Sequence, residues 1–449
     1  MHRSGIINRI LFLLILGALA AYRSIPAAGA SPQSTWNPWK GPRQNGISSE
    51  TAWDTEFLDK NLRYKWKADT GDGYSNVTIT GGLLYTMGYR VIPNNPVRKN
   101  IIFCLDAASG KLVWEHPIEI YPGAWQLTRS TPVVNDGLVY SLTQDGNFLC
   151  NDGQSGALIW QKNIIKEFNA LVPEWKFASS VLIEGDLAIA SVCRSGLALN
   201  KKTGSLVWKS GVGRGSYATP VPYNCNGTRY LAIFGDGALY GVEALSGKII
   251  WQYPWITQDA VAADPVVYGG KLFISSGYDK GCALLDVSTG KAETLWQNAN
   301  MRAHVATPII IGDYVYGIDG DPAKKTFLVC LDLKDGSLRW KSKALGAGNM
   351  TASNGYLIIS GYKGSLTVAE ANPFKYKEIS SRKKLIRDNL CFTAPVLCGS
   401  ALYLRGAMTD IVCIDISRSR TDQMNFFVRF MVALRSLLLK ILSFFKGAL

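Results

Sequence analysis

The chain has little charge, few histidines and no recognisable cysteine motif. Only 18% of its 449 residues are charged and three are histidine, whereas 47% are apolar. The sequence contains no adjacent cysteine pair, no Cys-x-x-Cys and no Cys-x-x-Cys-His, which argues against thioredoxin-type, haem c and most zinc sites. A disordered chain would be less apolar. We therefore expect a packed globular protein without a metal site.

The long middle section also lacks a basic patch. Of the net charge of +14, residues 1–30 carry three positive charges and residues 418–449 a net five, which leaves +6 spread over residues 31–417. Phosphate binding needs clustered Lys and Arg side chains. Nucleic acid is therefore not an expected partner.

The first 30 residues have the pattern of a secretory signal peptide. Arg3 and Arg9 precede an apolar run from Ile10 to Ala21, and small residues lead to Ala30. A helix of that run would be about 18 Å long, shorter than a hydrocarbon core of roughly 30 Å. No cysteine lies near the cleavage site, so lipidation there is not expected. The sequence predicts an exported protein of the periplasm or cell envelope.

Four of the nine cysteines share one position of a repeat. Cys104, Cys150, Cys330 and Cys413 each stand two residues before an Asp. This placement predicts small buried hydrophobic side chains instead of a disulfide framework. A single stray disulfide stays open as an alternative, because an exported chain meets an oxidising compartment.

Two motifs alternate along the chain. The first is a strand, a Gly turn and a Trp-bearing strand, found at 105–114, 199–208, 242–251 and 331–340, with variants at 151–160 and 285–296. The second, as in 131–140, opens units near residues 75, 131, 179, 219, 264, 307, 350 and 393. Each motif predicts a β-hairpin, and two hairpins make a four-stranded blade. Eight units at this spacing predict an all-β, eight-bladed β-propeller.

The Trp-bearing strand is missing from the end of the last unit. A matching strand, Leu62 to Trp66, precedes the first unit. We predict that it pairs with unit eight and closes the ring, which removes two open sheet edges. The predicted organisation is a signal peptide (1–30), a leader (31–60), the propeller (61–417) and a helical tail (418–449).

The tail is expected to be an amphipathic α-helix. Its polar side chains fall within one arc of about 140° when they are placed at 100° per residue. A basic face on an apolar helix is typical of a helix lying in the membrane interface. A membrane-spanning helix and a helix docked on the propeller are the alternatives. The expected membrane-binding residues are Phe427, Arg429, Arg435, Leu438, Lys440 and Phe445.

The two motifs resemble the repeats of the pyrroloquinoline quinone (PQQ)-like β-propeller family, as in a BamB-like exported member, and the segment Trp36 to Glu50 is similar to the leader of many uncharacterised exported members of that family. The resemblance covers about residues 36–417. It implies, for the quinoprotein dehydrogenases of the family, a quinone held over adjacent disulfide-linked cysteines with calcium and a catalytic Asp. This sequence has no adjacent cysteines. No cofactor is therefore predicted, and PQQ with calcium stays an alternative without identified ligand residues.

Ligands of propellers meet a funnel at one end of the central channel, lined by residues just before the innermost strands. This set is polar, basic and aromatic, which would suit an anionic or carbohydrate-like ligand; the alternative is that it only solvates the channel mouth. His304 is the one histidine expected there, and Asp145 is interpreted as a turn residue. The predicted funnel residues are Tyr74, Arg129, Lys176, Tyr217, Asp259, Arg302, His304 and Asn349.

The function that these observations favour is a non-enzymatic interaction scaffold of the cell envelope. We expect a monomer that binds envelope proteins and is held at a membrane surface by its C-terminal helix. The first alternative is a PQQ-dependent dehydrogenase with divergent ligands, which would make the chain a quinoprotein oxidoreductase. The second is a ligand-binding sensor. One fold hosts many activities, so the repeats alone do not choose among the three.

Overall fold

A computed structural model describes residues 34–91, 98–120, 127–259, 261–321, 325–343, 348–361, 363–386, 391–408 and 410–418. All but Ser34 of these belong to one compact unit, which begins at Thr35. The predicted signal peptide and all six predicted membrane-binding residues lie outside the described residues. Within the described part of the chain, no helix is long and apolar enough to cross a membrane.

Eight antiparallel sheets account for nearly all of the regular structure in the described ranges. Two strands precede the first blade, β1 (Ile47–Ser48) and β2 (Arg63–Ala68). Blades one to four contain β3 (Thr78–Thr80), β4 (Leu83–Val91), β5 (Arg98–Asp106), β6 (Leu112–Glu119), β7 (Val133–Asn135), β8 (Leu138–Leu142), β9 (Asn147–Asp152), β10 (Leu158–Asn163), β11 (Leu182–Glu184), β12 (Leu187–Ala190), β13 (Leu197–Asn200), β14 (Leu206–Lys209), β15 (Val221–Cys225), β16 (Thr228–Gly235), β17 (Ala238–Glu243) and β18 (Ile249–Pro254).

The second half of the ring repeats this order. Blades five to eight contain β19 (Val266–Tyr268), β20 (Lys271–Ser276), β21 (Gly281–Asp286), β22 (Glu293–Asn298), β23 (Ile309–Ile311), β24 (Tyr314–Asp319), β25 (Phe327–Asp332), β26 (Leu338–Ser342), β27 (Gly348–Ser353), β28 (Tyr356–Gly361), β29 (Leu366–Glu370), β30 (Glu378–Arg382), β31 (Val396–Cys398), β32 (Ala401–Arg405) and β33 (Ile411–Asp415). The described helices are short: a 3-10 turn at Phe57–Asp59 and α1 at Ile164–Phe168. The predicted eight-bladed β-propeller is confirmed.

Each blade is a four-stranded meander that runs outward from the channel. The first strands of neighbouring blades contact one another, which places them around the central channel. They run from the side that we call the funnel face, where the segments between blades lie, to the opposite side. We call that opposite side the leader face; it carries the turns between first and second strands and between third and fourth strands.

The ring closes where the sequence predicted. Strand β2 pairs antiparallel with β33, with Arg63 opposite Asp415, Trp66 opposite Cys413 and Ala68 opposite Ile411. The N-terminal strand thus supplies the fourth strand of blade eight. Closure confirms the prediction and leaves neither end of the blade row with an unpaired edge.

The repeated Trp residues join one blade to the next. In six of them the indole Nε1 donates a hydrogen bond to a backbone carbonyl in the outer turn of the following blade, at 2.7 to 3.1 Å. The pairs are Trp66 with Ala107, Trp114 with Gly153, Trp160 with Lys201, Trp208 with Ala244, Trp296 with Leu333 and Trp340 with Asn372. The Trp side chains therefore pack between sheets and also satisfy turn carbonyls.

The glycine of the outer turn has a packing role as well as a conformational one. Gly110 has φ +70°, and a Cβ at this position would lie 2.5 Å from the indole of Trp66. The turn between β21 and β22 differs, since a Cβ on Gly290 would meet nothing within 4 Å. Correspondingly, Trp251 of blade four donates to the hydroxyl of Tyr223 in its own blade.

All nine cysteines are described; each is buried and none forms a disulfide. Cys104, for example, is 0% exposed, and burial raises the pKa of its thiol to about 12. They are spread through the sheets and pack as apolar side chains.

Candidate functional site

A cation and an aromatic pair form one side of the funnel. The ring of Tyr74 packs on Phe392, with 5.4 Å between ring centroids, and the guanidinium of Arg129 lies 5.9 Å from the Tyr74 ring. Arg129 also donates to the carbonyl oxygen of Leu127 at 3.0 Å. Burial lowers the pKa of Arg129, although nearby Tyr74, Tyr217 and Asp145 partly offset this effect. Tyr74 and Arg129, which were both predicted to line the funnel, lie next to each other in the structure. Their binding role stays a prediction.

Lys176 extends the cationic side. Its Nζ lies 3.3 Å from Oδ1 of Asp145, in the connection between β8 and β9. The other carboxylate oxygen of Asp145 is buried and has no hydrogen-bond partner among the described residues. The sequence interpretation of Asp145 as a turn residue therefore missed its contact with a funnel side chain.

Tyr217 connects this side to an acidic one. Its hydroxyl accepts a hydrogen bond from the backbone N–H of Trp175 at 2.8 Å and donates to Asp259 at 3.3 Å. Burial raises the pKa of Tyr217, and the charge of Asp259 raises it further. The phenol therefore stays protonated and keeps the two sides in contact.

His304 lies on the acidic side, against an aromatic ring. Its imidazole meets the ring of Tyr278 edge-on at 4.8 Å. Burial lowers the pKa of His304, while Asp321 and Asp259 act in the opposite direction. Its Nδ1 is buried without a hydrogen-bond partner in the described ranges. Among the described residues, none forms with Nδ1 the hydrogen bond by which a general base is usually oriented.

The other two predicted funnel residues are held by neighbours of this group. The guanidinium of Arg302 is held by Asp319 at 2.9 Å and by Asp279 at 3.1 Å, and Asp279 follows Tyr278 in the chain. Asn349 is 4% exposed and donates to the carbonyl oxygen of Phe392, whose ring packs on Tyr74. The binding role of all eight predicted residues stays a prediction.

A belt of hydrogen bonds follows the channel below the funnel from blade one to blade six. At the start of the first strands of blades two to six, a side-chain oxygen accepts the backbone N–H of the equivalent residue in the preceding blade, at 2.8 to 3.3 Å. The acceptors are Thr131, Ser180, Thr219, Asp264 and Thr307. The belt explains the Thr of the Thr-Pro-Val-Val motif, for which sequence analysis gave no reason.

The leader crosses the channel at the leader face, which sequence analysis did not predict. Trp36 exchanges two backbone hydrogen bonds with Ile79 of blade one, and the side chain of Asn37 pairs with the backbone of Val134 in blade two. Farther along, β1 pairs in parallel with β27 and makes blade seven five-stranded. The unpaired inner edges of first strands are therefore the surface to which the leader binds.

The leader also brings a lysine into the channel. Lys40 is 5% exposed and lines a small cavity with Thr307 and Asn349. Burial lowers its pKa to about 8, against the charge of Asp264, whose own pKa burial raises to about 6. Asp264 is the one belt acceptor that carries a charge. No sequence signal marked Lys40, because its partner is more than 200 residues away.

The described residues do not form the ligand set of a quinoprotein site. No three His, Cys, Asp or Glu side chains among them converge to hold a metal ion. The cysteines are separate buried thiols, without the adjacent pair that the family resemblance implies for a quinone platform. The funnel itself offers two cations, several carboxylates and stacked aromatic rings. Such a surface can bind polar or charged groups of a ligand or a protein.

Comparison with known proteins identifies the family. A family model described as outer membrane protein assembly factor BamB matches residues 98–342. The outer membrane protein assembly factor BamB of Burkholderia pseudomallei is 26% identical over 315 residues, which cover 66% of this chain and 74% of that protein.

Solved structures share the fold at low identity. BamB from Moraxella catarrhalis superposes with a TM-score of 0.60 at 16% identity, over 80% of this chain and 99% of that one. The quinohemoprotein alcohol dehydrogenase from Comamonas testosteroni gives 0.62 at 12% identity, over 88% and 82%. The assembly factor and the dehydrogenase thus share this propeller fold. The sequence match decides between the two families: the chain belongs to the family of the outer membrane protein assembly factor BamB.

Proposed function

We propose that this protein is a non-enzymatic interaction scaffold of the cell envelope, held at a membrane surface by its C-terminal segment. The observation that carries the proposal is the match of residues 98–342 to a family described as an outer membrane assembly factor. Export is supported by the signal-peptide pattern of residues 1–30. The tether is supported by the amphipathic pattern of the tail.

The funnel face offers a surface for a protein partner. Exposed aliphatic side chains lie on the segments between blades two and five: Leu171 is 43% exposed, Val212 73% and Ile256 72%. An isolated bridge from Leu171 to Arg214 joins the first two of these segments. Grouped apolar side chains beside charged ones are typical of interaction surfaces.

Site-specific photocrosslinking in cells tests the scaffold. A photoreactive residue at Val212 should yield a discrete adduct with an envelope protein. The matched control is Leu245, which is also 73% exposed but lies in an outer turn on the leader face. Equal crosslinking at the two positions, or none at Val212, would contradict a partner on the funnel face.

Reconstitution tests the enzymatic alternative separately. The purified chain, mixed with PQQ and Ca²⁺ and assayed by absorbance and dye reduction, should show neither saturable cofactor binding nor turnover. Turnover with alcohols would replace the scaffold proposal by a quinoprotein oxidoreductase.

A further inference from the structure

The funnel and the last described residues lie on opposite faces of the ring. Funnel side chains precede the first strands, on the funnel face. Strand β33 is the third strand of its blade and runs in the same direction as a first strand, so it ends at Asp415 on the leader face. Residues 419–449 therefore follow from the leader face.

The chain is held firmly at this exit. The backbone N–H of Asp54 donates to the carbonyl oxygen of Ile416 at 2.8 Å, and Nε of Arg418 donates to the carbonyl oxygen of Trp53 at 3.1 Å. Trp53 is 1% exposed and packs in the core between blades seven and eight. The start of the tail is thus fixed to the propeller.

An exposed aromatic side chain lies on the same face in blade seven. Phe374, in the turn between β29 and β30, is 75% exposed, and Lys375 beside it is also exposed. The turn is ordered, because the side chain of Asn372 accepts the backbone N–H of Phe374 at 2.9 Å and Lys377 pairs with Glu370. The 3-10 turn at Phe57–Asp59, which follows Trp53 in the leader, packs against β30. The turn that carries Phe374 thus belongs to blade seven, and the chain leaves the neighbouring blade eight after β33.

This combination has the chemistry of a membrane interface. An aromatic ring can enter the boundary between headgroups and acyl chains while a neighbouring lysine stays with anionic headgroups. No outer turn of the Trp motif has an aromatic side chain at this point, although the turn of blade four carries the exposed aliphatic side chain of Leu245.

We infer that the leader face, through the turn of residues 372–377, rests on an anionic membrane surface and that the funnel face points away from it, toward protein partners. The inference rests on the proposed tether by residues 419–449. It adds the orientation of the propeller, which the tether alone does not define.

Fluorescent labels on the two faces test the orientation in the full exported chain. One variant carries Phe374→Cys and the other Ile256→Cys, at a site of similar exposure on the funnel face. The nine native thiols are buried, so a short reaction labels only the introduced cysteine. With vesicles that contain anionic lipid, an environment-sensitive label at 374 should increase in emission about twofold or more and be quenched by headgroup-level quenchers. The label at 256 should not change.

The outcomes separate the inference from the function on which it rests. If the unlabelled full chain does not sediment with the vesicles, the membrane tether itself fails. If the chain sediments but the label at 256 responds, alone or together with that at 374, the tether stands and the orientation is wrong.

Affinity gives a second readout. Phe374→Ala should weaken vesicle partitioning about tenfold, on the scale of partial burial of one aromatic side chain. Ile256→Ala should leave partitioning unchanged. Both positions are exposed, so neither variant should melt at a different temperature. Equal partitioning of the two variants would overturn the role of this turn.

Discussion

Lys40 and Asp264 are buried, oppositely charged groups that interact electrostatically, and their contribution to stability depends on pH. The Lys40 ammonium has no hydrogen-bond partner among the described residues. The folded chain holds the Asp264 proton more tightly than the unfolded chain, because burial raises that pKa to about 6. The free energy of unfolding should therefore fall as the pH rises from about 4 to about 6. It should rise again above about pH 8, where the unfolded chain binds the Lys40 proton more tightly. Between these limits the pair is charged at a net cost.

The double substitution Lys40→Met with Asp264→Thr should therefore leave stability at pH 7 unchanged or increase it. Thr restores the belt acceptor used at 131, 219 and 307, and Met keeps the volume of the lysine stem. Asp264→Thr alone should lower the free energy of unfolding by about 3 kcal/mol, because it leaves a buried ammonium without its counter-charge. Urea unfolding of the two variants and the unsubstituted protein from pH 5 to 9 measures both effects.

A double variant that is as unstable as the single one would contradict this view. The pair would then stabilise the fold by itself. If the double variant is as stable as expected, the charged pair is best explained by the register of the leader, because it fixes one position of the leader in the channel.

At the scale of single strands, Trp66 is the residue on which closure depends most. It is 8% exposed, contacts Gly110 and donates to Ala107 in blade one, so it joins blade eight to blade one. Trp66→Ala should lower the free energy of unfolding by about 3 to 5 kcal/mol. Tyr64→Ala is the control on the same strand, since Tyr64 is 47% exposed. Thermal and denaturant melts compare the two, and deletion of residues 61–68 should abolish the cooperative transition. If Trp66→Ala and Tyr64→Ala melted at similar temperatures, the stability of the closure would not depend on Trp66.

The blades could be predicted from the sequence because each is encoded locally. The Gly turn and the Trp lie within ten residues, and their spacing gives both the hairpin and its period. The match of Leu62 to Trp66 to the same motif also located the closing strand.

The position of the leader and parts of the funnel could not be predicted from such local patterns. Asn37 forms a hydrogen bond with a residue 97 positions away in blade two, and Lys40 interacts electrostatically with a residue 224 positions away in blade five. No periodic pattern reports such interactions. Arg302 lies in a segment between blades as predicted, but the sequence did not show that Asp319 and Asp279 hold its guanidinium. Side-chain direction in a loop depends on these long-range partners, whereas strand order does not.

At the scale of the whole ring, Arg405 joins the last blade to the first. It lies on β32 of blade eight and is 2% exposed, and burial lowers its pKa to about 10. Its guanidinium donates to the carbonyl oxygens of Ser75 and Gly71 and to the hydroxyl of Thr86, all on the side of blade one. The buried charge is tolerated because its two Nη groups donate to backbone carbonyl oxygens, whereas Nε has no hydrogen-bond partner among the described residues.

Arg405→Met should open this seam while it keeps most of the side-chain volume. The carbonyl oxygens of Ser75 and Gly71 lose their donor, so the free energy of unfolding should fall by about 3 kcal/mol. Hydrogen exchange should accelerate in β4 and β32 before it does so in blade four, because Arg405 lies beside the pairing of β2 with β33, through which the two ends of the ring are joined without a covalent link. Arg339→Met, at an exposed position on β26, is the control and should change stability by less than about 0.5 kcal/mol. Uniform acceleration around the ring in Arg405→Met would instead mean that the propeller opens at no preferred seam.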